Sequence, residues 1–183
     1  MIRIDFVGSD HAPLVGAVGA QAFHEAFGPR NTRADVSAHV ESYYAPWVIE
    51  REMARDGVRY LLARDGERAV GMAKLAGDPP SSDPSVVLVD PTLEERAGPW
   101  LQVCQLYVLE SARSRGVGAR LMEAMVAEAR ARGCRGLWLG VWSENPRGIA
   151  FYRRLGLAVV GEAVFQLGSD PQRDHVMALR LGE

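Results

Sequence analysis

From Leu101 to Leu181 the residue pattern runs strand, helix, strand, helix, strand, strand, and no other feature of the chain constrains its fold as strongly. Leu101–Val108 has the apolar content of a strand. Gly116–Arg132 follows as a helix, because Val117, Leu121, Met125 and Ala129 recur every four residues along one face. Gly133 ends it. Leu137–Trp142 is an apolar strand, Arg147–Leu155 a short helix, and Ala158–Gln166 and His175–Leu181 are further strands. Strands separated by helices pair in parallel across a crossover, so at least one parallel pair is expected.

The preceding residues are simpler. Ile2, Ile4 and Phe6 alternate with Arg3 and Asp5, predicting a first strand. Ser9–Asp10 offers a cap and Pro13 a first turn for a helix carrying Leu14, Val18, Phe23 and Phe27, stopped by Gly28–Pro29. Asn31–Thr32 opens a second helical stretch through Val36, Val40 and Tyr43–Tyr44, and a third runs from Pro46 to near Gly57. Val58–Ala63 and Ala69–Ala76 flank Arg64-Asp65-Gly66-Glu67, a hairpin signal. Gly77–Pro84 is a loop by composition, Val86–Val89 a short strand, and a polar connection leads on to Pro99. At 183 residues the chain fits a single domain spanning 1–183.

Composition excludes several classes of function. The 21 Lys plus Arg against 23 Asp plus Glu give a net charge of −2, which argues against a dedicated nucleic-acid binder. Cys104 and Cys134 have apolar neighbours and no metal-ligand spacing, fitting buried thiols in a reducing compartment. The four scattered histidines predict no metal site. MIRIDFVGSDHAPL has no apolar core of the signal-peptide kind, and no run approaches the roughly 20 apolar residues that span a bilayer, so the expected location is cytoplasmic.

The chemistry concentrates in Arg113-Ser114-Arg115-Gly116-Val117-Gly118-Ala119-Arg120, between a strand and an amphipathic helix. Glycines at 116 and 118 let a ligand approach the backbone. A helix starting there presents unpaired N–H groups and a positive dipole end, which suit phosphate, and Arg113, Arg115 and Arg120 add charge of the right sign. Taken alone, the motif reads first as a glycine turn between strand and helix. A dinucleotide fingerprint would need glycine where Leu121 stands, and a P-loop would need a lysine that this stretch lacks.

A second motif lies at a fixed distance downstream: Asn145 after the next strand, then Ala150, Phe151, Tyr152, Gly156 and Leu157. With Arg113, Gly116 and Gly118, this set resembles the GCN5-related N-acetyltransferase (GNAT) superfamily, with Leu157 standing where a phenylalanine is usual. The resemblance implies a mixed α/β fold. It would have a mostly antiparallel central sheet of about six or seven strands, a splayed parallel pair and flanking helices. It also implies acetyl-CoA as co-substrate and a primary amine as acceptor, with direct attack in a ternary complex. Backbone of Leu106, Tyr107 and Val108 would hold the pantetheine, and amides of Ser114, Arg115, Gly116, Val117, Gly118 and Ala119 the pyrophosphate. Asn145 would bond the pantetheine arm, and Tyr152 would protonate the leaving thiolate. A phenol with an ordinary pKa near 10 keeps its proton at neutral pH until a thiolate develops beside it. The alternative for Tyr152 is an aromatic that packs its helix onto the sheet. The resemblance also allows a homodimer.

Many members of the superfamily carry a glutamate on the strand before the cofactor loop. Here Leu101-Gln102-Val103-Cys104-Gln105-Leu106-Tyr107 has none. Glu144, Glu110, Glu25, His24 or a water relay remain open as routes for the amine's proton. A narrower set looks like bacterial spermidine/spermine N-acetyltransferases: Gln21–Gly28 with Asn31-Thr32, Trp138–Trp142 with Asn145-Pro146, and Phe165 through Leu167, Gly168, Asp170, Gln172 and Asp174 to Met177. A polyamine acceptor would call for carboxylates and aromatic faces. Tyr43, Tyr44, Trp47 and Glu41 fit that need, and fit equally the underside and rim of an amphipathic helix pair. Other acceptors left open are a peptide α-amine and an antibiotic amine, and a non-catalytic acetyl-CoA-binding regulator is the alternative to an enzyme.

Overall fold

The computed structural model describes residues 1–78, 80, 83–89, 99–167 and 170–182. Eight strands form one sheet: β1 (Ile2–Val7), β2 (Arg59–Asp65), β3 (Arg68–Ala76), β4 (Val87–Leu88), β5 (Trp100–Val108), β6 (Gly136–Trp142), β7 (Ala158–Leu167) and β8 (Asp170–Arg180). Their order is β1-β2-β3-β5-β6-β8-β7-β4. The pairs β1–β2, β2–β3, β4–β7 and β6–β8 are antiparallel, and β5–β6 is parallel, as a crossover requires. Among the described residues the α-helices are α1 (Ala12–Phe27), α2 (Arg33–Tyr44), α3 (Pro46–Met53), α4 (Val117–Ala131) and α5 (Pro146–Arg154). The two-residue β4 carries the count past the expected six or seven. The connection leading to Pro99 and the expected Gly168 position lie outside the described residues.

Contacts group the chain into two compact units. The first holds Met1–Leu75, Gln105–Ala124 and Leu167, and the second holds Ala76–Cys104, Met125–Gln166 and the strand from Asp170 onward.

In the first unit, Gly66 and Glu67 form a two-residue hairpin loop between paired Asp65 and Arg68. Gly66 has φ 61° while Glu67 stays on the negative side, which matches a type II′ turn. Beyond the hairpin Ala63 pairs with Gly71 but Arg64 pairs with Ala69, so Val70 is an extra residue that bulges β3. The Val70 carbonyl accepts from the Leu109 amide at the end of β5 (2.9 Å). A Cβ on Gly71 would lie 2.9 Å from the Tyr107 carbonyl oxygen, so glycine is what lets this backbone come so close.

Helix α1 starts differently from the expectation. A 3₁₀ turn, Ser9–His11, precedes it, neither Ser9 nor Asp10 caps it, and Pro13 is its second residue. For α2, Thr32 is the cap as expected, its hydroxyl accepting from the Asp35 amide (3.1 Å). Inside the unit Phe23 stacks on His39 (4.0 Å between centroids), His39 stacks on Tyr43 (4.4 Å), and Tyr44 and Tyr107 meet Phe23 edge-on or tilted.

That stack has a pH consequence. Burial holds the His39 pKa at about 4, against 6.5 for a free imidazole. Above pH 6.5 the ring is neutral folded or unfolded and contributes nothing. Between 6.5 and 4 only the unfolded chain takes the proton, so stability falls with pH. The loss is about 2 kcal/mol between pH 7 and 5. Urea unfolding of wild type and His39→Gln at both pH values measures it, because the difference cancels other titrating groups. Parallel pH dependences in the two proteins would refute the account.

The chain's only lysine, Lys74 on β3, is 12% exposed and pairs with Glu52 of α3 (2.6 Å). The Tyr60 hydroxyl donates to the other oxygen of the same carboxylate. In the second unit Trp100, Trp138, Val160, Val176 and Ala178 form a buried cluster, and the Trp138 indole N–H donates to the Asp78 carbonyl (2.7 Å). Helix α4 ends as its sequence indicates, with Cys134 N–H to the Ala129 carbonyl and Gly133 N–H to the Arg130 carbonyl.

Candidate active site

Strand β5 hydrogen-bonds in register with β6 only over Trp100–Gln102, opposite Gly136–Trp138. Past that point the parallel ladder stops, while β5 continues to Val108 and β6 to Trp142. Leu106, Tyr107 and Val108 lie beyond that register, at the end of β5. The Tyr107 ring joins the aromatic stack of the first unit.

After β5 the first unit builds a compact turn. Residues Glu110–Ala112 make a 3₁₀ turn, held from α1 by Glu25, whose Oε2 accepts from the Glu110 amide (2.6 Å). Arg113 then donates its Nε–H to the Val108 carbonyl (3.3 Å). Ser114 has φ 64° and Gly116 φ 79°, flanking an Arg115 that is not left-handed. Alternation of this kind turns successive N–H groups toward one side, a concavity suited to anions. Ser114 is the surprise, since left-handed backbone is uncommon outside glycine. Ser114, Arg115 and Gly116 are exposed, and a Cβ on Gly116 would have no protein atom within 4 Å.

Helix α4 begins at once, and its first bond runs from Arg120 N–H to the Gly116 carbonyl (3.1 Å). The amides of Val117, Gly118 and Ala119 come before that bond and have no intrahelical acceptor. Val117 itself is buried and roots the turn. Arg115 donates to Asp65 of the hairpin (2.6 Å), and that hydrogen bond holds the Asp65 carboxyl below its usual range. Arg113 and Arg115 therefore brace the turn, and Arg120 is exposed.

The second unit holds the other two expected residues. Asn145 caps α5: its Oδ1 accepts from the Gly148 amide (2.9 Å), and Pro146 takes the first helical position. Tyr152 lies in the last turn of α5, its ring edge-on to Phe151 at 5.0 Å. Its carbonyl accepts from Leu157 N–H (3.1 Å) across Gly156, which closes the helix.

Among the proposed proton acceptors, Glu25 is bonded to backbone as described. Of the aromatic set, Tyr44 is core, packed where Gly19 leaves room for its ring, and burial together with Tyr107 raises its phenol well above 10. Tyr43 and Trp47 are exposed, and the Arg51 guanidinium lies over Trp47 (5.2 Å). Two features escaped the sequence: the left-handed Ser114, and the Asp174 carboxylate on β8. Only the glycine two residues after Ser114 hinted at the first.

A glycine-opened turn leading into a helix, with amides that come before the helix's first bond, is the anion-binding element of several classes of protein. The comparisons say which. The chain belongs to the acetyltransferase (GNAT) family, whose profile matches residues 18–157. It is an N-acetyltransferase, with acetyl-CoA as the family's co-substrate. An uncharacterized N-acetyltransferase in the pepI 3′ region of Lactobacillus delbrueckii subsp. lactis is 30% identical over 177 residues, covering 96% of this chain and 95% of that one. In fold, the PaiA N-acetyltransferase of Thermoplasma acidophilum, solved with coenzyme A, has a TM-score of 0.74 at 14% identity, covering 99% of each chain. Arabidopsis thaliana NAA60, solved with acetyl-CoA, has a TM-score of 0.68 at 15% identity and likewise covers 99% of each chain. Among the described residues no helix is long and apolar enough to cross a membrane.

Proposed function

We propose that this chain, acting as one transferase domain in the cytoplasm, moves acetyl from acetyl-CoA to a primary amine of a small molecule, with a polyamine the first acceptor to test. The observation that carries the reading is the turn at Ser114–Gly116. Left-handed backbone, open space over Gly116 and the bond-free amides at the head of α4 together fit a diphosphate. The amides of Ser114 through Ala119 hold the pyrophosphate, and backbone of Leu106, Tyr107 and Val108 holds the pantetheine with help from Asn145. Acetyl-CoA supplies an acetyl group activated as a thioester. Tyr152 donates the phenolic proton that the departing thiolate takes.

Thermal unfolding with acetyl-CoA, NAD or ATP tests the donor. Acetyl-CoA at a hundredfold excess over Kd should stabilise the protein by about 2.7 kcal/mol, and NAD should not. Stabilisation by a nucleotide alone would reject the reading. Gly116→Ala sharpens the test. The added methyl meets no protein atom, so the fold loses only the left-handed penalty of about 1 kcal/mol. Affinity for acetyl-CoA should nonetheless fall at least about tenfold, a matter of 1.4 kcal/mol. Unchanged affinity would place the diphosphate elsewhere. Thiol release across spermidine, spermine, a peptide with a free α-amine and an aminoglycoside then selects the acceptor. Binding without turnover on any amine would mark a regulator.

A further inference from the structure

Strand β6 has one exposed residue, Gly140, set between buried Leu139 and Val141. On its face of the sheet Trp138, Gly140 and Trp142 alternate, opposite Ala178, Val176 and Asp174 of β8. Trp138, Val176 and Ala178 fill the buried cluster at one end of this face. At the other end Asp174 replaces the apolar residue the pattern calls for. Its Oδ2 lies 2.9 Å from where a Gly140 Cβ would stand, so the carboxylate reaches across the bare glycine. Gly140 and Trp142 both lie beyond Trp138, the last β6 residue in register with β5.

Among the described residues no cation and no hydrogen-bond donor is paired with Asp174. Strand β6 carries no ionisable side chain. The sequence neighbours Arg173 and His175 alternate to the opposite face, and Arg173 reaches toward Glu162 of β7 (3.9 Å). A part-buried carboxylate without a partner is costly, and here burial alone pushes its pKa up to about 6. It is therefore mostly ionised at neutral pH and still basic enough to take a proton.

We propose that Asp174 receives the acceptor's ammonium group above Gly140 and takes its proton, supplying the carboxylate that β5 lacks; this rests on the transferase reading above. R–NH3⁺ gives one proton to Asp174 and becomes R–NH2. The nitrogen lone pair forms the N–C bond to the thioester carbonyl, and the C–S bond breaks with its electrons going to sulfur. Sulfur takes the Tyr152 proton, and the tyrosinate recovers one from the amide nitrogen. The Asp174 proton leaves to solvent, so amide, thiol and one proton are released.

The test compares two nucleophiles, spermidine, which is protonated at neutral pH, and benzhydrazide, which is not. Asp174→Asn should lower kcat/KM for spermidine about 100-fold or more while leaving benzhydrazide turnover and the acetyl-CoA thermal shift close to wild type. Gly140→Ala, whose methyl displaces the carboxylate, should repeat the pattern and guards against a folding defect in the first variant. Full spermidine turnover in both variants, or equal losses on the two nucleophiles, overturns the inference alone. A wild type that acetyl-CoA does not stabilise, or that acetylates neither nucleophile, overturns the transferase reading and this inference with it.

Discussion

Tyr152→Phe is expected to lower kcat about 100-fold or more, with acetyl-CoA affinity unchanged. The helix that carries Tyr152 is pinned at both ends, by the Asn145 cap and by the Leu157-to-Tyr152 bond across Gly156, so phenylalanine keeps the ring where it is and removes one proton. A group that acts only on the leaving thiolate stabilises the transition state and not the bound donor, so the loss falls on kcat. Single-turnover thiol release beside a thermal shift separates the two quantities. If the variant turns over at the wild-type rate, Tyr152 is a packing residue and the proton reaches sulfur from elsewhere.

The second large effect is on stability. Trp138→Ala should cost about 3–5 kcal/mol, lowering Tm by on the order of 10 °C. The indole is 2% exposed within the cluster of Trp100, Val160, Val176 and Ala178, and it is also the last β6 residue in register with β5. Trp138→Phe retains most of the apolar contact and gives up only the bond to the Asp78 carbonyl, worth about 1 kcal/mol. Urea unfolding of both variants therefore divides packing from hydrogen bonding. Near-equal losses would mean that the indole N–H, not the ring, holds the cluster together.

Much of this architecture is written in periodicity. Val117, Leu121, Met125 and Ala129 are all buried, as four-residue spacing requires. The hairpin is placed correctly, although its turn is Gly66-Glu67 because Asp65 stays paired with Arg68. The misses share a cause: they depend on a neighbour distant in sequence. Leu14 falls on the periodic stripe yet is exposed, while Val15 is fully buried. Strand β8 begins at Asp170, well before His175: its first residues are polar, show no apolar alternation and precede the register with β6, which starts at Asp174. Tyr44 suited an ammonium cage until Gly19 made room for its ring inside. At the candidate site, Arg113, Gly116, Gly118, Asn145 and Tyr152 were all visible as motif positions. Asp174 was visible only as one position of the narrower motif, since its chemical meaning depends on a glycine 34 positions earlier being side-chain-free.

The ion pair between Lys74 and Glu52 bears on how the chain survives its own chemistry. A catalyst bathed in an acylating agent risks modifying itself wherever a neutral alkylamine is within reach. Here the single ε-amine is sequestered, 12% exposed and 2.6 Å from a carboxylate oxygen. Arginine, which resists acylation, carries nearly all the remaining positive charge. No lysine side chain is thus offered to the donor at the surface, so thiol released in an assay owes little to acylation of the enzyme's own ε-amine.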